Sequence, residues 1–240
     1  MKRSSIVTAV SLATLFTAGA VPTLAQAADS PVTFNIGAVT DYRYRGISQS
    51  RLKPALQGGV DWSGGGFYAG AWASTIKWVK DGGGSGSIEL DLYGGYKGEL
   101  TKEVSYDIGL LTYQYPGNKL NPSANTTEIY GALTFGPATA KYSRSTSNLF
   151  GFGNSKGSGY LDISATFDVG GFAVTPHIGK QTVKNLGAAS YTDFSVSVSK
   201  EWSGVTWSAT LVDTDTNAYV GAGGKDLGKA GLVLGAKLNF

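Results

Sequence analysis

The sequence predicts an all-β fold: a closed antiparallel up-and-down transmembrane β-barrel of about twelve strands, with short periplasmic turns and long extracellular loops. Three observations carry this. About twelve segments alternate apolar and polar residues with period two, each near the ~9 to 11 residues that a tilted spanning strand needs. The connections between them alternate between short and long. The composition, with 35 Gly, 13 Tyr, 10 Phe and 5 Trp but 1 Met in 240 residues, suits strands and tight turns better than packed helices. A mean hydropathy of −0.05 agrees, because only every second residue of a barrel strand meets lipid.

The elements follow in order. Residues 1–27 read as a signal peptide. Lys2 and Arg3 form a positive start, residues 6–20 are mostly apolar yet shorter than the ~20 residues of a spanning helix, and Ala25-Gln26-Ala27 reads as a cleavage site. The barrel is then residues 28–240. Without the leader, eighteen Lys and Arg face seventeen Asp and Glu, so a pI near 8.9 for the whole chain is no argument for a nucleic-acid partner. Cysteine is absent, which excludes disulfide scaffolds, cysteine nucleophiles and thiolate metal sites.

The first segment places Phe34, Ile36, Ala38, Thr40, Tyr42 and Tyr44 on one face and Asn35, Asp41, Arg43 and Arg45 on the other. The second sets Leu56, Val60 and Trp62 against Gln57 and Asp61; the third, 67–75, is rich in Gly and Ala and leaves its facing open. The fourth sets Ile88, Leu90, Leu92 and Tyr96 against Glu89, Asp91, Tyr93 and Lys97, and the fifth Val104, Tyr106, Ile108 and Leu110 against Ser105, Asp107 and Tyr113. In the sixth, Ile129, Leu133 and Phe135 oppose Glu128, Tyr130 and Thr134; in the weak seventh, 138–144, Lys141 opposes Tyr142. The eighth sets Leu161, Ile163, Ala165 and Phe167 against Asp162, Ser164 and Thr166, the ninth Phe172, Val174 and Ile178 against Thr175 and His177. The tenth and eleventh give Phe194, Val196 and Val198, then Val205, Trp207, Ala209 and Leu211, as apolar faces, with Asp193 inward. The twelfth sets Leu232, Leu234, Ala236, Leu238 and Phe240 against Val233, Lys237 and Asn239. Its terminal aromatic, Phe240, reads as the signal that barrels show to their assembly machinery.

Connections after the even-numbered segments are tight: 63–66, 99–103, 136–137, 168–171 and 201–204. Those after the odd-numbered ones are longer and rich in Gly, Ser, Asn and Lys: 46–53, 77–86, 116–125, 145–157, 182–190 and 213–229. A soluble sandwich has no reason to segregate loop lengths in this way, whereas a membrane barrel does. Closure has its own cause, since each backbone group left bare in hydrocarbon costs several kcal/mol.

The stretches Asp41 to Ser50 (DYRYRGISQS), Asp91 to Leu100 (DLYGGYKGEL), Ser105 to Gly117 and Thr127 to Leu133 resemble recurring blocks of the TorF-type porin family of proteobacteria. The resemblance implies an outer-membrane barrel and solute passage. It brings no catalytic signature.

Other constellations point to no chemistry. His177 is the one histidine and lacks a motif that would supply a serine and an orienting acid, so a barrel hydrolase is the lesser reading. The acidic pairs Glu89/Asp91 and Asp213/Asp215 do not sit in a tightly spaced calcium loop. No catalytic residue, metal or cofactor is expected. What remains is a polar interior in which Asp41, Asp61, Glu89, Asp91, Asp107, Glu128, Asp162 and Asp193 outnumber Arg43, Arg45, Lys97, Lys141 and Lys237, with His177 beside them as pore-lining candidates. The long loops are basic instead, with nine Lys and Arg against four Asp. That pattern suits either anion collection at a mouth or contact with lipopolysaccharide phosphates. The expected function is an outer-membrane channel for passive diffusion of small hydrophilic solutes; the alternative is a non-conducting structural or adhesive barrel. Expected partners are outer-membrane lipid and lipopolysaccharide, the barrel-assembly machinery and those solutes.

Overall fold

The computed structural model describes residues 30–240, and the expected signal peptide lies outside them. The wall has twelve staves: β1 (Val32–Val39), β2 (Ala55–Gly64), β3 (Phe67–Thr75), β4 (Ile88–Glu99), β5 (Val104–Gln114), β6 (Thr126–Phe135), β7 (Ala138–Ser145), β8 (Gly159–Ala165, continued past Thr166 by Phe167–Val169), β9 (Phe172–Thr182), β10 (Tyr191–Trp202), β11 (Val205–Thr214) and β12 (Gly231–Asn239). Each pairs antiparallel with its sequence neighbours, and β1 closes on β12 with Ile36 opposite Leu238 and Ala38 opposite Ala236. Phe34 and Phe240 extend this seam by exchanging backbone hydrogen bonds of 2.8 and 3.0 Å, and their rings stack 5.9 Å apart. The sheet therefore has no free edge in its spanning part.

Short turns lie at one end and long loops at the other, in the predicted alternation. The β2–β3 turn is Gly65-Gly66, with φ of +59° and +86°, the left-handed pair that a two-residue hairpin turn demands. Faces follow the alternation as well. Leu56, Phe135 and Leu211 are 66%, 64% and 63% exposed on the outside, while Glu89 and Glu128 are 1% and 2% exposed within. An apolar belt spread over every stave exceeds what a soluble monomer presents and suits lipid. The undecided third segment turns Tyr68, Trp72 and Ser74 inward and Phe67 outward. Glycine is frequent partly because lumen tyrosines lie against it: a Cβ on Gly70 would stand 2.5 Å from the Tyr93 ring.

One expectation is corrected. The alternation carries the first strand to Tyr44, but β1 ends at Val39 and residues 41–50 turn into the barrel. Tyr42, expected to face outward, is buried, and Asp41, Arg43 and Arg45 project from this inward segment instead of the wall. An amphipathic stretch laid across a polar lumen has the same sequence signature as one that continues the wall.

Candidate functional site

The site is the connection of residues 40–54, of which 41–50 turn inward, and the wall that holds it. Thr40 still belongs to the sheet, its N–H donating to the Leu234 carbonyl at 2.9 Å. Beyond it the chain makes a small hairpin, Arg43–Tyr44 against Ile47–Ser48, turned by Arg45 and Gly46 at φ of 48° and 78°. A Cβ on Gly46 would stand 2.7 Å from Asp193 Cβ, so only glycine fits between hairpin and wall. Asp41 organises the segment from within: it accepts from Arg43 Nε and Ser48 Oγ, both at 2.5 Å, and from Ser50 Oγ at 3.1 Å. Arg43 Nη1 donates to the carbonyls of Gly46, Leu227 and Lys229, which ties the segment to the loop before β12.

Contacts with the wall combine one ion pair with tyrosine bonds and ring contacts. Arg45 forks onto Glu128 with Nη1–Oε1 at 3.1 Å and Nη2–Oε2 at 2.7 Å, and Nη1 also reaches Gln181 Oε1 at 2.7 Å. Its guanidinium lies 4.2 Å above the Tyr160 ring. Burial alone would lower the Arg45 pKa; the adjoining Glu128 carboxylate reverses that and holds it well above its ordinary value. On the other side the Tyr42 hydroxyl donates to Glu89 Oε1 at 2.9 Å, and its ring meets Trp72 edge-on at 5.4 Å. Tyr44 and Tyr113 hydroxyls bond at 2.5 Å, and Tyr113 passes the contact on to Glu128 at 3.2 Å. Loops close over the top: Lys77 N–H donates to the Gln49 carbonyl at 2.8 Å and Ser48 N–H to the Leu227 carbonyl at 2.9 Å.

Asp91 stands apart. It is 7% exposed, lines a cavity of about 30 Å³ with Asp41, Arg43 and Trp72, and its Oδ1 has no hydrogen-bond partner among the described residues. A space of that size holds a water molecule or two.

Toward the short-turn end the interior charges come from the wall alone. Here strand register assembles a row that face assignment alone does not reveal: Lys97 opposite Asp107, Asp107 opposite Ala132, Ala132 opposite Lys141, and Lys141 opposite Asp162. Lys97 and Asp107 approach to 3.9 Å, and Lys141 Nζ sits 3.9 Å above the Tyr130 ring. Tyr68 donates to Asp107 and Tyr93 to Asp61, each at 2.5 Å, while Tyr68 and Tyr130 share a very short hydroxyl contact. His177 lies between two acids, with Nε2 2.9 Å from Asp162 and Nδ1 3.7 Å from Asp193. The third base of this level, Lys237, projects inward from β12 opposite Gly37. All fourteen interior candidates thus lie inside the barrel, eleven on the wall and three on the inward segment. The cross-lumen tyrosines Tyr68 and Tyr160 and the amide of Gln181 were not singled out by the sequence, since no charge marks them. Among the described residues no His, Cys, Asp and Glu cluster could hold a metal ion.

A closed twelve-stave wall with an apolar exterior and a charged interior into which one loop folds defines a porin-like β-barrel fold. The chain belongs to the family described as bacterial protein of unknown function (Gcw_chp), whose model matches residues 25–240. No curated protein matches it in sequence. Among solved structures it is similar to the NanC porin, with a TM-score of 0.52 at 12% identity over 86% of this chain and 97% of that one. It is also similar to a structure from work on in-meso crystallization of membrane proteins, with a TM-score of 0.50 at 6% identity over 87% and 83% of the two chains. At such identities the likeness is one of fold.

Proposed function

We propose that this protein is an outer-membrane channel for passive diffusion of small hydrophilic solutes, with residues 40–54 as its constriction. The observation that carries the reading is how the bore is filled. Wall side chains alone do not occupy the extracellular half; a loop segment does, and its side chains grip the wall through Arg45–Glu128–Gln181 and Tyr42–Glu89. A loop that folds into a barrel this wide narrows a passage that would otherwise be open. The segment is also the block Asp41 to Ser50 that resembles the TorF-type porin family, which supports the same reading. A hydrolase has less support: the hydrogen-bond partners of His177 are Asp162 and Tyr160, not a serine.

A second reading, a non-conducting barrel, is favoured by one observation, the near-complete burial of residues 41–50. Planar-bilayer recordings separate the two. The channel reading expects small steady steps for the wild type and larger ones when residues 43–50 are replaced by a short Gly-Ser link. Silence from both proteins, with insertion verified, supports the structural barrel.

A further inference from the structure

The loops 146–158 and 183–190 carry Lys156 and Lys184 and contain no Asp or Glu. In the fold they lie side by side above β6 to β9: Asn185 Nδ2 donates to the Asn154 carbonyl at 2.9 Å, and Lys184 N–H to Ser158 Oγ at 3.0 Å. Arg144 joins them from the outward face of β7, the face that carries Tyr142 one step nearer the belt. Arg144 and Lys184 flank the same glycine: a Cβ on Gly157 would stand 3.5 Å from Arg144 Nη2 and 3.6 Å from Lys184 Cδ. Together with Asn148 and Asn154 these cations line an open cleft of about 900 Å³. Among the described residues none of the three cations makes an ion pair, whereas Arg51 in a neighbouring loop is matched by Asp81. Beside and below the cleft the surface is apolar, with Ile129, Tyr142 and Leu161 exposed by 49%, 51% and 41%.

Three like charges around one cleft repel each other, and an anion shared between them reverses the sign of that interaction. The position above an apolar belt selects an anion that also bears acyl chains. We propose that this cleft binds the phosphorylated sugar head of the lipid A part of lipopolysaccharide, with Arg144, Lys156 and Lys184 on phosphate and the apolar surface of β6 to β8 along the acyl chains. The proposal rests on the outer-membrane placement in the reading above and is independent of whether the barrel conducts.

The test uses the purified full barrel in detergent and native mass spectrometry with four probes: diphosphoryl lipid A, its dephosphorylated form, phosphatidylglycerol and inorganic phosphate. Saturable binding of diphosphoryl lipid A is expected, weakened by at least about tenfold in the Arg144→Gln, Lys156→Gln, Lys184→Gln triple variant, because charge-assisted hydrogen bonds are lost. The control triple Lys77→Gln, Lys80→Gln, Lys119→Gln should bind as the wild type does. Heat-dependent gel mobility verifies folding, and the single variants Arg144→Gln and Lys184→Gln serve if the triple fails to fold. Unchanged affinity of the cleft variants, or an equal loss in the control, overturns the proposal. So does equally tight binding of dephosphorylated lipid A, phosphatidylglycerol or inorganic phosphate. Conductance is recorded separately, so silence there leaves the lipid result standing.

Discussion

Arg45 and Glu128 show how much rests on single interior charges. Both are almost fully buried, and the fork between them satisfies two carboxylate oxygens at once. Removing one partner leaves the other without its countercharge, so Arg45→Ala or Glu128→Ala should cost about 3 kcal/mol, read by urea unfolding in lipid vesicles. The Arg45→Met, Glu128→Leu double variant should recover most of that loss, and a loss equal to the sum of the singles would show that the pair is not coupled. Asp91 makes the contrast. It has neither ion pair nor bond at Oδ1, and Glu89 stands two positions away on the same inward face of β4. Asp91→Asn should therefore leave stability unchanged or raise it, while shifting the reversal potential in a salt gradient toward anions. Destabilisation on the scale of the Glu128 change would contradict this. Alternation fixes the face of each of these acids, which is why their interior position was legible. Their partners were not, because Arg45 meets Glu128 across 83 positions of sequence, through a register and a loop path that no local pattern encodes.

At the level of elements, the staves were legible because period two is enforced twice, by lipid outside and by water or paired charge inside. Leu90 therefore answers to lipid and its neighbour Glu89 to the lumen. A Lys at Ile108 or Leu234, mid-stave on the outer face, should cost roughly 2 to 4 kcal/mol in vesicles, whereas the same change at the inward, half-buried Ser164 should be milder. Equal costs would mean that the faces are wrongly assigned. The inward segment was illegible for the same reason that the staves were not. Residues 41–45 alternate the charged Asp41, Arg43 and Arg45 with Tyr42 and Tyr44, and the aromatic face of such a stretch can pack on Trp72 and Tyr113 as well as on lipid. What separates the cases is the turn at Arg45-Gly46 and the Asp41 bonds to Ser48 and Ser50, which fold the stretch onto itself and give it an inside. The β1–β12 seam makes a further prediction at this scale. Deleting Phe240 removes two backbone bonds and a stacked ring at the junction that closes the barrel, and should slow assembly measured by the heat-modifiable gel shift. Wild-type kinetics would show that the seam closes without it.

For the whole molecule the decisive property is polarity along the barrel axis: five short turns at one end, six long connections at the other, and one of those six folded inside. The absence of cysteine lets each position be probed by a single substitution, without background thiols. Lys225→Cys stands exposed on a long loop, Lys102→Cys is exposed in a short turn, and Ser50→Cys lies in the inward segment at 2% exposure. On intact cells a membrane-impermeant maleimide should label Lys225→Cys rapidly, because long loops face the exterior. Lys102→Cys should react only after the outer membrane is opened. Ser50→Cys, although it belongs to a long connection, should react slowly on intact and opened cells alike and become reactive on unfolding, because its shield is the barrel and not the membrane. Labelling of Lys102→Cys on intact cells would invert the orientation, and rapid labelling of Ser50→Cys would place residues 40–54 outside the lumen, leaving the bore without the constriction on which the channel reading depends.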